Sequence, residues 1–441
     1  MSKTAASTRI ALPLISGVGL LAAVGVTTVG AQQETTMTRL FVPVEIAADL
    51  SDLPGAERDA LAHIVDAARV MDGLFLEQVW AGNPSMLLSL LNNQSATGVA
   101  RLDFFLLNKG PWSRVEDNRR FVPGAPEKPP GANFYPVDAT RGEIAAWFDQ
   151  LEGQARREAT GFFTTIRRGA DGGFSIIPYS VEYQGPLAIA AEHLRAAARA
   201  TAQPTLRRYL ESRATAFASN DYYDSDVAWL ELDASIEPTI GPYEVYEDEW
   251  FNYKAAFEAF VTVTDEQDTA NLARFGSQLQ SLEDTLPIEP AFRNPALGVL
   301  APIRVVNVVF TAGDANSGVQ TAAFNLPNDE RVLREKGSKR VMLKNVQEAK
   351  FQQVLSPIAR TVLTAADRQE VSFDAFFTHI LMHELMHGLG PSTITVDGRE
   401  TTVRQELRET YSVIEEAKAD ISGLWALHQL VDRGEVEASL A

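Results

Sequence analysis

Two histidines and a glutamate share one short stretch of this 441-residue sequence, His383-Glu384-Leu385-Met386-His387. On a helix, positions four apart lie one above the other, so His383 and His387 can present both imidazoles to a single metal ion. Glu384, beside the first histidine, is placed to reach a water held at that ion. Two imidazoles and a carboxylate at this spacing are the pattern of zinc-assisted hydrolysis, with the glutamate as general base.

The flanking residues are those of a helix. Ser372 can cap its start, Asp374 lies in the first turn where the dipole favours an anion, and Gly388-Leu389-Gly390-Pro391 stops it after His387. A catalytic zinc takes three protein ligands and keeps a position for water. The chain has no cysteine, so the third ligand must offer nitrogen or oxygen. Glu415-Glu416-Ala417-Lys418-Ala419-Asp420 is the best candidate segment. Glu416 and Asp420 share a helix face, so one can bind zinc while the other accepts the ring N–H of a ligating histidine; Glu415 can orient the other histidine. His379 lies one turn before His383 on the same face. The helix climbs about 6 Å over four residues, which makes His379 a neighbour rather than a ligand.

The formal net charge of −19 argues against nucleic-acid backbones and anionic lipid as partners and is compatible with substrates bearing an ammonium group. Residues 1–31 read as a secretory signal: Lys3 and Arg9 are the basic region, 12–26 is apolar, and Val29-Gly30-Ala31 fits cleavage before Gln32. The expectation is a periplasmic or secreted protein with no stable membrane span after signal cleavage.

Residues 56–80 carry Leu61, Ile64, Val65, Ala68, Met71 and Phe75 at helical spacing, and the pattern recurs over 142–157 and, Ala-rich, over 187–217. His63 and His193 lie in the first and last of these stretches and are read as structural, since no second ligand stands three or four residues from His63. Between them, 121–136 is too rich in Pro and Gly for a regular element. Short apolar runs at 227–232, 259–264, 303–310, 320–324 and 340–343 suggest one five-stranded sheet or barrel, with a helical insert around 270–283. Helical patterning covers 346–364, the histidine segment, and a last helix over 404–430. Its expected buried stripe is Leu407, Tyr411, Ile414, Ala417, Ile421 and Leu424. The expected fold is α+β, mostly helical and two-lobed, with a helical zinc-bearing lobe, a small five-stranded β unit and the active site in the cleft between. Its expected divisions are the signal peptide 1–31, a helical region 32–225, a β-containing substrate-binding unit 226–346 and a helical zinc region 347–441.

With these segments placed, the chain resembles the dipeptidyl-peptidase III family of zinc peptidases, in particular its shorter bacterial members, over residues 237–428. HELMH with EEAKAD carries the first part of the likeness. It implies His383, His387 and Glu416 as zinc ligands, Glu384 as the catalytic carboxylate, and Glu415 and Asp420 as supports of the ligands. Phe324-Asn325-Leu326-Pro327-Asn328-Asp329 is similar to the family's N-x-P-N segment, which implies that Asn325 and Asn328 hold the peptide backbone. Tyr243-Glu244-Val245-Tyr246-Glu247-Asp248 resembles its E-x-Y-x-D stretch, which implies Glu244 as the anchor of the substrate ammonium and Tyr246 as a catalytic donor to the scissile carbonyl.

The chain departs from the family pattern in three ways. Most members have one more residue between the histidines, Asp420 stands where glutamate is more common, and relatives continue with further helices that include a substrate-binding histidine and arginine. Here the sequence stops at Ala441, so the expectation is a short member, either a short natural form or a C-terminally truncated one. The implied activity is zinc-dependent release of dipeptides from the N-terminus of short peptides. The alternatives are a zinc-stabilised, non-catalytic peptide-binding protein and a general zinc endopeptidase.

Overall fold

A computed structural model of the chain describes residues 6–13, 40–295, 297, 303–391, 393–407 and 410–440. The signal expected at 1–31 falls mostly outside them; of it, β1 (Ala6–Pro13) is described, pairing antiparallel with β2 (Phe41–Ala48). Contacts divide the chain into two compact units: residues 1–263 with 307–321, and residues 264–306 with 322–441. The chain thus crosses between units at 263–264, 306–307 and 321–322. Among the described residues, no helix is long and apolar enough to cross a membrane.

The first unit is built on a helix pair. α1 (Gly55–Val79) buries Ala60, Leu61, Ile64, Ala67, Ala68 and Met71, and α2 (Gln184–Ala200) buries Leu187, Ala190, Ala191, Leu194, Ala197 and Ala198. Both stripes repeat every three or four residues, and their alanines let the helices pack closely. Thr201–Gln203 interrupts the single helix expected over 187–217, and α3 (Pro204–Ser219) restarts with Pro204 in its first turn, where a missing N–H costs nothing.

One five-stranded sheet has the order β6-β7-β5-β4-β3, with β3 (Ile236–Pro242), β4 (Phe257–Thr264), β5 (Ile303–Gly313), β6 (Ala323–Leu326) and β7 (Lys339–Leu343). The number of strands matches the expectation, but one member differs. The run at 227–232 lies mostly in a helix, Tyr223–Leu230, with Asp224 and Asp226 in its first turn favouring the dipole. The missing strand is β3, whose two prolines and glycine disguise it. As an edge strand it needs a ladder on one side only, and there proline is tolerated.

The second unit packs α4 (Glu266–Gly276) and α5 (Leu279–Thr285) against α6 (Phe373–Met386) and the last helix, α7 (Tyr411–Asp432), which follows a hairpin of β8 (Thr393–Val396) and β9 (Arg399–Thr402). Its core contains Leu272, Leu282, Leu381, Leu385, Leu427 and Leu430. The stripe expected on the last helix is the wrong one: Ile414, Ile421 and Leu424 are 47%, 71% and 48% exposed. Ala419, Gly423, Ala426, Leu427 and Leu430 face inward instead. Around the metal segment the helix turns the small residues Ala419, Gly423 and Ala426 toward its neighbour, with Leu427 and Leu430 completing the buried face. The side chain of Tyr411 lies outside the described residues.

Candidate metal centre

Ser372 caps α6 by accepting from the Ala375 amide at 3.1 Å. Thr378, Leu381, Met382, Leu385 and Met386 anchor the inner face of the helix, which leaves His383 and His387 at its margin. α6 ends at Met386, yet His387 keeps helical angles (φ −57°, ψ −29°), so the four-residue step between the imidazoles is retained.

The two Nε2 atoms lie 3.1 Å apart. Glu416 brings one oxygen to 3.3 Å from His383 Nε2 and the other to 3.9 Å from His387 Nε2. Tetrahedral zinc with bonds of 2.0–2.1 Å separates its ligand atoms by about 3.3 Å, so these three donors surround a space of the right size. His383 Nδ1 donates to Asp420 at 2.8 Å and His387 Nδ1 to Glu415 at 3.0 Å. With Nδ1 the donor in each case, a metal ion would be met by a lone pair turned inward from each Nε2. Two lone pairs and a carboxylate meeting at one point repel unless a cation joins them. The residues fit a divalent ion, and nitrogen and oxygen donors in this ratio suit zinc.

Burial pushes the Glu384 carboxyl above the usual carboxylate range, against the pull of His387, His383 and Arg340. Burial also opposes the Glu415 charge, but hydrogen bonds from His387 and Lys418 hold its carboxyl below the usual value. Lys418 Nζ sits 2.7 Å from Glu415 and donates to the Leu389 carbonyl at 3.1 Å, which ties α7 to the end of α6. His379 stays outside the cluster, with Nε2 4.0 Å from Asp420.

The peptide-side residues lie in separate places. Asn325 is on β6, exposed and directly opposite Arg340 of β7 in the antiparallel register, so their side chains share a face; Asn328 follows and is half-buried. Glu244 and Tyr246 belong to the other unit, in the segment after β3. Glu244 is half-buried and its carbonyl accepts from the Ala256 amide at 2.7 Å, while Tyr246 is 75% exposed.

The sequence profile of peptidase family M49 matches residues 168–413. The chain belongs to that family. A structure of dipeptidyl-peptidase III from Corallococcus sp. strain EGB is 63% identical, with a TM-score of 0.87 over 93% of this chain and 76% of that one. The structure of DPP III from Caldithrix abyssi is 46% identical, with a TM-score of 0.85 over 89% of this chain and 75% of that one. Nudix hydrolase 3 from Arabidopsis thaliana is 42% identical in an alignment that covers 91% of this chain but 58% of that protein. The M49 chain thus spans less than two thirds of its plant relative.

Three residues that position this M49 centre escaped the sequence reading. Arg340 is 6% exposed and donates from Nε to the Glu384 carbonyl at 2.8 Å, setting a cation at the C-terminal turn of α6 where the dipole is negative. Glu283, fully buried, accepts from the amides of Gly390 (2.8 Å) and Asn294 (2.6 Å) and so fixes the turn after His387. Gly423 lies at the contact of α7 with α6. A glycine in the middle of a helix was the one visible signal, since it costs about 1 kcal/mol there without a packing reason.

Proposed function

We propose that this chain is a zinc-dependent exopeptidase that releases dipeptides from the N-terminus of short peptides. The observation that carries the reading is the all-acceptor cluster of His383, His387 and Glu416, each imidazole oriented by its own carboxylate, with Glu384 in the adjoining helical position. Zinc held there would polarise the scissile carbonyl and acidify the attacking water.

Glu384 takes the proton of that water and passes it to the leaving amine, a transfer favoured by a carboxylate whose proton affinity burial has raised. Asp420 and Glu415 keep both imidazoles in the tautomer that faces inward. Tyr246 donates a hydrogen bond where oxyanion charge develops. Glu244 and Asn328 bind the substrate ammonium, and Asn325 holds its backbone, so the cut falls two residues from a free N-terminus. The acidic surface suits such cationic N-termini. The signal pattern supports a periplasmic or secreted enzyme whose mature form begins at Gln32, as N-terminal sequencing of exported protein would reveal.

The test combines zinc stoichiometry with assays on free and N-acetylated peptides, using the wild type and Glu384→Gln. Dipeptide release from free peptides alone, lost in Glu384→Gln while zinc is kept, is the expected result. Equal cleavage of acetylated peptides would make the chain an endopeptidase. Bound zinc with no turnover would leave a peptide-binding protein.

A further inference from the structure

Sequence spacing alone makes His63 and His193 look structural, but the fold brings them together. Each sits on one helix of the α1–α2 pair, and Asp66 lies three residues after His63, on the same face of α1. His63, Asp66 and His193 each offer one ligand atom within 4.8 Å of the others, and all three are half-buried. The two rings stand 6.3 Å apart between centroids, tilted by 35°. His63 Nδ1 is buried without a hydrogen-bond partner among the described residues. An orphaned ring nitrogen beside a second imidazole and a carboxylate is an unfavourable arrangement unless something shared satisfies it.

We propose that His63, Asp66 and His193 form a second divalent-metal site, of the zinc class, that clips α1 to α2. The donor set is two imidazoles and one carboxylate, the chemistry of zinc and its borderline neighbours and not of calcium or magnesium, which prefer oxygen alone. The donor atoms already lie within 4.8 Å of one another, and a tetrahedral ion would hold them roughly 3.3 Å apart, a closure of the size that side-chain rotations supply. Asp66 is paired with Arg69 at 2.8 Å, but both side chains are partly exposed, at 42% and 64%, so Arg69 can swing to solvent and leave the carboxylate to the ion. Three protein ligands leave one position for water. The site does no chemistry on peptides; it ties together the two helices on which the first unit is built, so its occupancy is linked to stability.

The experiment uses the full chain and zinc or cobalt alone. The His383→Ala/His387→Ala variant lacks the first site, so metal that it still binds belongs elsewhere. The expected result is one zinc per chain in that variant, visible cobalt absorption of the tetrahedral type, and a zinc-dependent rise in unfolding temperature. Adding His193→Gln or Asp66→Asn should abolish all three, with unchanged helical circular dichroism confirming that the fold is intact. In the otherwise wild-type chain, His193→Gln should lower the zinc count from two to one and leave peptide cleavage unaltered. A His383→Ala/His387→Ala protein that binds no zinc at micromolar concentration, or binds it regardless of His193 and Asp66, overturns the proposal. Loss of zinc from the first site alone would leave this result untouched, so the two sites are judged separately.

Discussion

Gly423 lies against the backbone of His383: a Cβ placed on it would stand 3.1 Å from the His383 amide nitrogen and 3.3 Å from the Met382 carbonyl carbon. The absence of a side chain lets α7 come close enough for Glu416 to approach both Nε2 atoms and for Asp420 to reach the His383 Nδ1. Gly423→Ala should be nearly neutral, because about 1 kcal/mol of helix propensity offsets the crowding. Gly423→Leu should force the helices apart, cost about 1–3 kcal/mol of stability and weaken zinc binding at least tenfold. Chelator competition and urea unfolding measure both. Unchanged zinc affinity in the leucine variant would show that the close contact does not set the ligand geometry.

Asp420 and Glu415 bind no metal in this arrangement, yet they fix which ring nitrogen is free to do so. Asp420→Ala should weaken zinc binding by about 10–100-fold, as should Glu415→Ala. Asp420→Glu, one methylene longer, should retain most of the affinity because it still reaches Nδ1. The informative comparison is the ratio of chelator-competition constants for the alanine and glutamate variants at position 420. A ratio near one would remove Asp420 from the role.

Arg340 joins β7 to the end of the metal helix. Replacing it by Met leaves the Glu384 carbonyl without its charged donor in a buried setting, for a loss of about 1.5–3 kcal/mol in urea unfolding. Lys in its place keeps a charge but not the planar fork, so it should recover only part. A methionine variant as stable as the wild type would mean that solvent replaces the guanidinium at no cost.

The metal helix was legible because every local signal agreed: the Ser372 cap, the apolar inner face and the Gly-rich stop all point to the same element. Contacts made across the fold were not legible. Arg340 looked like one more residue of a strand, since nothing local shows that its guanidinium ends at the Glu384 carbonyl. Ile414, Ile421 and Leu424 misled because hydrophobicity marks which face can be buried, while close helix packing selects the smaller residues Ala419, Gly423 and Ala426. The proline-bearing β3 was hidden for a related reason, because its place at a sheet edge is a property of the topology. His63 and His193 are 130 positions apart in sequence, so their meeting depends on how α1 packs on α2.

Lys254, in the first unit, supplies a pH dependence of its own. Its ammonium is buried and donates to the carbonyls of Ala159 and Gly161 at 2.7 and 3.0 Å and to the Thr164 hydroxyl at 2.8 Å. Burial pushes it down to about 7 from the usual 10.5, against the attraction of Asp248. The folded state therefore releases this proton near pH 7, while the unfolded state keeps it to about 10.5. Between these limits the unfolded chain binds more protons, so stability from this group rises with pH, by up to about 1.4 kcal/mol per unit. Below pH 7 both states are protonated and the burial penalty is present in full. Lys254→Met should remove this slope. Urea unfolding of both proteins at pH 6.5, 8 and 9.5 should give a stability difference that shifts toward the wild type as pH rises. A difference constant with pH would mean that the three acceptors hold the proton throughout.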